Sequence, residues 1–244
     1  MEITLDLLLK GKPTIIKGRE FLSTKDYVEG FIQEMSKFTK KFIVNVSLPT
    51  QLTLTNKEED ITFNKVWIQA VIPGSGEMRE VINLVYALDI KKPCYKVFRT
   101  YTIDECHFVF NKEWNKDYLI EDNVSFKLPI KELMEKPSDI SSVIAKMKST
   151  FISDDCRHDY VGKLFEKCLL LEEDSLSGKV KLSPNIVMKA YENIYLNSTS
   201  KLYKKDQEAT IYEFFIALLD QVREGYKKDI SNVFEKTYLV NNLI

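Results

Sequence analysis

Apolar positions recur at helical spacing through residues 23–40. Tyr27, Val28, Phe31, Ile32, Met35 and Phe38 fall on one face there, with Ser23 or Thr24 ahead of them as a cap. A helix is predicted, and its wide aromatic face requires a surface to dock on. From Phe42 the period drops to two. Residues 42–48 end at Pro49, and residues 51–55 alternate apolar and polar. A long strand is predicted over 61–72, closed by the turn Pro73-Gly74-Ser75-Gly76, and further strands over 80–89 and 95–103, with Lys91-Lys92-Pro93 between them. Short pieces follow at 108–110 and 118–120. Strands at this close spacing, with no helix between them, predict a mainly antiparallel sheet.

After Lys127 helical spacing returns. Asp139 can cap a helix carrying Ile140, Val143, Ile144, Met147 and Phe151 on one side. A second helix is predicted over 159–173, with Val161, Leu164, Phe165, Cys168 and Leu169 inward. Ser183-Pro184 opens a third, as a cap followed by proline in the first turn. Thr210 and Glu213 have the spacing of a capping box for a fourth, and residues 232–239 predict a fifth. Strands first and helices afterwards give an α+β protein. The expected division is 1–127, a helix with an antiparallel sheet, and 128–244, helical and packed on that sheet as one domain.

Composition changes this picture little. The chain has 244 residues, enough for a sizeable core. Its 8 Gly and 7 Pro leave little for long linkers. The net charge is −1, and acid and base balance in both halves, so no basic domain announces nucleic acid. Cys94, Cys106, Cys156 and Cys168 are too few for a disulfide framework at this length. The start is acidic, the run Leu7-Leu8-Leu9 is short for a signal peptide, and no stretch approaches the ~20 apolar residues of a membrane span. A reducing cytoplasm is the expected compartment, with the sequons at Asn45, Asn123 and Asn197 idle.

Both histidines stand beside cysteines, as Cys106-His107 and Cys156-Arg157-His158. Two thiolates and two imidazoles are the inventory of a structural zinc site. The spacing argues against it, because adjacent residues on a strand point to opposite faces. The expectation is therefore no metal and no cofactor; were zinc present, Cys106, His107, Cys156 and His158 would be its ligands. A Cys106–His158 dyad has no supporting motif. Pro73-Gly74-Ser75-Gly76 lacks the Lys-Ser/Thr of a phosphate loop. The carboxylate runs Glu58-Glu59-Asp60, Asp154-Asp155 and Glu172-Glu173-Asp174 read as solvated loops and helix ends. No enzyme is expected.

One strand invites comparison with a nucleic-acid surface. Alternation places Tyr95, Val97, Arg99 and Tyr101 on one face, and Lys96 and Phe98 with Cys94 on the other. Aromatics interleaved with cations can stack bases and track phosphates, which makes Tyr95, Lys96, Arg99 and Tyr101 candidate contacts to single-stranded DNA. The plainer reading has the tyrosines packed against a helix and Arg99 paired with a carboxylate.

The stretch from Tyr95 through Arg99 to Cys106, followed by Phe108-Val109-Phe110-Asn111, resembles the centre of a phage- and plasmid-borne protein family of unknown function. Leu128-Pro129-Ile130-Lys131-Glu132-Leu133 and the helix from Thr210 fit its layout loosely. Arg99 and Cys106 are the matching positions; His107-Phe108 departs from the polar pair of the family. The resemblance implies a phage or mobile-element accessory protein, in the host cytoplasm or the virion. Its expected mode is binding. The partner is another protein, of phage or host; single-stranded nucleic acid in replication or recombination is the alternative, and no membrane is involved.

Overall fold

The computed structural model describes residues 3–16, 19–21, 23–46, 51–54, 61–74, 77–87, 94–103, 106–110, 118–119, 128–135, 139–175, 178–204, 207–226 and 230–244. It is an α+β structure of two compact units. The first is Met1–Asp104 with Lys112–Pro137; the second is Glu105–Asn111 with Ser138–Ile244. Glu58-Glu59-Asp60, Lys91-Lys92-Pro93, Ser75-Gly76, Asn111 and Asn123 lie outside the described residues.

In the first unit a short helix α1 (Leu5–Leu8) and a hairpin of β1 (Thr14–Ile16) and β2 (Arg19–Phe21) precede α2 (Thr24–Phe38). Ser23 caps α2 in a full capping box with Asp26: the Asp26 amide donates to Ser23 Oγ, and the Ser23 amide donates to the Asp26 carboxylate at 3.0 Å. The sheet comprises β3 (Ile43–Val46), β4 (Gln51–Leu54), β5 (Ile61–Ile72), β6 (Met78–Ala87), β7 (Cys94–Ile103) and, after the excursion to the second unit, β9 (Tyr118–Leu119). Its order is β3-β5-β6-β7, with β4 also on β5 and β9 also on β7, and these pairs are antiparallel. A last helix, α3 (Ile130–Glu135), completes the unit.

Tyr27, Val28, Phe31 and Met35 of α2 share one buried cluster with Phe63, Val66, Ile68, Ile82, Leu84, Tyr86, Tyr95 and Val97 of the sheet. Burying each such side chain contributes about 1.5–3 kcal/mol, which is why the wide aromatic face needed a partner. Leu128, Ile130 and Leu133 close the same cluster, so the chain beyond Lys127 still belongs to the sheet's unit. The phenols of Tyr27 and Tyr86, with ring centroids 4.5 Å apart, are driven to well above the ordinary tyrosine range, first by burial.

The opposite sheet face holds a buried polar network. Asn83 Oδ1 accepts from Trp67 Nε1 at 3.1 Å and from Gln69 Nε2 at 3.0 Å, and Asn83 Nδ2 donates to Thr100 Oγ1 at 2.9 Å. All four residues are buried. A buried amide is tolerated there because its partners come from the strands on either side, β5 and β7.

The second unit begins with β8 (Cys106–Phe108), continues through α4 (Ile140–Ser149), β10 (Phe151–Ile152), α5 (Arg157–Leu170), the hairpin β11 (Glu172–Ser175) and β12 (Gly178–Lys181), α6 (Asn185–Tyr195) and β13 (Ala209–Thr210), and ends with α7 (Ile211–Tyr226) and α8 (Ile230–Leu243). Helix α7 is its centre. Phe214 through Leu219 are consecutively buried, as expected of a helix packed on several sides, and α4, α6, α8 and β8 all contact it. The capping box forms as the sequence predicts: the Thr210 amide donates to Glu213 Oε2 at 2.8 Å, and the Glu213 amide donates to Thr210 Oγ1 at 3.2 Å.

Two details correct the sequence reading. Phe151 leaves the helix that ends at Ser149, pairs in β10 with Thr210, and is exposed. Leu169, expected inward on α5, is 57% exposed, because the buried face of that helix is narrow and consists of Val161, Leu164 and Cys168.

Candidate functional site

The face proposed for nucleic acid is part of the core. The Tyr95 ring lies 5.7 Å from that of Tyr27, centroid to centroid, and Val97 joins the same cluster. Tyr101 is buried, Lys96 is half-buried, and Arg99 is 7% exposed with Nε 2.7 Å from Glu80 Oε1. Base stacking requires open ring faces, and neither tyrosine has one. Alternation assigned these residues to one face correctly, but β7 is buried on both faces, so the face is not a surface.

The four Cys and His candidates all lie in the second unit without converging. On β8, Cys106 points its thiol at α7 and donates to Asp220 Oδ1 at 3.2 Å; the same oxygen is 3.3 Å from Arg223 Nη2. Phe108, on the same side of the strand, stacks edge-on against Phe215 at 5.5 Å. His107 points the other way and is largely buried, and that burial lowers its pKa. Cys156 and His158 are exposed at the start of α5. Among the described residues no group of three or more His, Cys, Asp or Glu side chains is placed to hold a metal ion. Cys168 is buried with its thiol pKa raised, chiefly by burial, which disfavours the nucleophilic thiolate.

What His158 does join is a groove. Helices α5 and α6 run antiparallel: the Arg157 guanidinium sits over the Tyr195 ring at 5.3 Å, and the His158 ring lies 5.8 Å from that of Tyr191. Between them is a cleft of about 390 Å³ lined by His158, Val161, Gly162, Phe165, Glu166, Met188 and Tyr191. Tyr191 and Tyr195 continue its aromatic side, with ring centroids 5.2 Å apart.

The sequence placed Phe165 in the core; it lies half-buried at the wall of the cleft. His158, Gly162, Phe165 and Leu169 follow the 4-3-4 spacing of one helical stripe. Of the cleft residues Met188 is 42% exposed; Leu169, further along the same α5 stripe, and Leu196, just past the end of α6, are exposed as well.

Gly162 is the informative residue. It lies in the interior of α5, where glycine costs about 0.5–1 kcal/mol relative to alanine. Nothing lies within 4 Å of the position a Cβ would take. The fold therefore does not require glycine here; its missing side chain leaves the cleft open. Sequence reasoning missed this site because the glycine interrupts no pattern and the stripe it belongs to reads as core. The usable signal was a glycine inside an otherwise well-patterned helix, flanked at i+3 and i+7 by Phe165 and Leu169.

Comparison of the chain with family models, with curated proteins and with solved structures finds no match.

Proposed function

We propose that this chain acts by binding another protein, not by catalysis, and that the α5–α6 groove is its contact surface. The carrying observation is Gly162: a helix keeps a destabilising glycine in its interior where its own packing does not demand one, in the wall of an apolar cleft. Exposed apolar side chains grouped beside a cleft are the usual mark of an interaction site, whereas scattered ones are not. Against catalysis stands the disposition of the nucleophile candidates. The Cys106 thiol donates a hydrogen bond to Asp220 inside the second unit, and Cys156 and His158 sit apart from it on the surface. The resemblance of the central stretch suggests the setting, a phage or mobile-element accessory protein that contacts a virion or host component.

The test is position-specific crosslinking in cells that naturally carry the chain. A photoreactive residue at Met188 should trap one protein, identified by mass spectrometry and reconstituted from purified components. The same group at Lys146, on α4, should not. Gly162→Leu, with an unchanged circular dichroism spectrum, should abolish the product. Equal trapping from both positions, or trapping indifferent to Gly162→Leu, would discard the groove as the contact surface.

A further inference from the structure

We infer that the partner enters the α5–α6 groove as a basic amphipathic helix that lays bulky apolar side chains over Gly162. This rests on the protein-binding reading of the groove and adds the chemistry of the occupant. Three observations carry it.

The first is what the walls offer. Both are helix flanks, and mid-helix backbone groups are already bonded to one another. An extended peptide lying there would bury its own N–H and C=O groups without partners, which is unfavourable for each. A helix brings its backbone already satisfied, and its side-chain ridges fit the furrow between two helices.

The second is shape. Gly162 forms the low point of the α5 wall, between His158 and Phe165, and Met188 and Tyr191 stand across from it. A leucine, methionine or phenylalanine of the partner fills the space an alanine Cβ would begin to close, and the half-exposed Phe165 and Met188 lose their remaining water.

The third is charge. Each residue turns a helix by about 100°. On that spacing the positions flanking the stripe are Asp159 and Glu166 on α5 and Glu192 on α6, all exposed. Asp155 lies just ahead of the N-terminus of α5, beside Asp154, whose charge is met by Arg157. Lys163, Lys167 and Lys189 fall further round, away from the cleft, and Arg157 is engaged with Asp154 and the Tyr195 ring. An apolar floor with an acidic rim complements lysine and arginine beside an apolar stripe.

The experiment is selection from a displayed library of helical peptides, with apolar and polar faces varied, on the full chain, followed by anisotropy of the selected peptides. Selected sequences should carry Lys or Arg on both sides of a bulky apolar cluster. Their affinity should fall about tenfold or more in Gly162→Leu and roughly two- to fivefold in each of Glu166→Gln and Glu192→Gln, with the charge effects shrinking at high salt. Gly162-sensitive peptides with acidic or uncharged polar faces would overturn the basic partner while leaving a protein-binding groove in place. No Gly162-sensitive peptide at all would overturn both. Self-association of the wild-type chain that Gly162→Leu abolishes, seen by sedimentation, would make the occupant a second copy and overturn this proposal.

Discussion

Arg99 and Glu80 form an ion pair across β6 and β7, with Nε and Oε1 2.7 Å apart. The geometry is that of an ionic contact, since the N–H is poorly aligned for a hydrogen bond. The two sides are unequally exposed, 7% for Arg99 and 29% for Glu80. Glu80 keeps some water, whereas the guanidinium depends on what surrounds it. Removing the carboxylate is therefore the worse insult. Glu80→Ala is expected to cost about 2–4 kcal/mol, toward the lower part of the range for breaking a buried pair, and Arg99→Met distinctly less. Urea midpoints measure both. The reverse order would contradict this account. Because Arg99 serves the fold, a labelled single-stranded oligonucleotide at low salt should give no anisotropy change that Arg99→Met removes.

Much of the fold was legible because single elements carried it. Helix α2 announced itself by Ser23 and a six-residue apolar face, and β5 by an apolar and polar pattern spanning its whole length. What failed needed knowledge of more than one element. The Asn83 network joins β5, β6 and β7 through a register that only the assembled sheet defines. Tyr95, Arg99 and Tyr101 were placed on one face correctly, but alternation says nothing about whether that face is covered. Leu169 was read inward because a single residue step, about 100° of helix, separates the core stripe from the stripe beside it. The groove was invisible because its walls come from two helices, α5 and α6, and no pattern within either one shows which flanks face each other.

Gly162 gives a prediction independent of any partner. A Cβ there meets nothing within 4 Å, and alanine stiffens the unfolded chain and favours helix. Gly162→Ala is expected to raise stability by about 0.5–1 kcal/mol. The increase should appear as a higher urea midpoint with an unchanged slope. A lower midpoint would mean that the position is crowded or needs glycine's conformational freedom, and the interpretation of the residue as a gap kept for binding would fall.

His107 supplies a pH dependence whose sign follows from burial. Its imidazole is largely buried, Nδ1 has no hydrogen-bond partner among the described residues, and burial lowers its pKa. In the unfolded chain the group titrates near ~6.5. Above that pH it is neutral in both states and contributes no slope. As pH falls below ~6.5 the unfolded chain takes up a proton that the folded state refuses, so the unfolded state gains and stability drops, by at most about 1.4 kcal/mol per pH unit. The loss continues until the folded pKa is reached. Glu213 acts in a lower window. Burial pushes its carboxyl up, but hydrogen bonds from Lys204 and Thr210 draw it down further, to a net decrease. Its contribution is present above the unfolded glutamate value of ~4.3 and is lost as pH falls through the folded one. The two are therefore separable. Urea midpoints of wild type and His107→Gln at pH 7.5 and at pH 5.5 should show the wild type losing more stability across that interval than the variant. Parallel losses would mean that His107 titrates alike in the folded and unfolded chains, and would overturn this account.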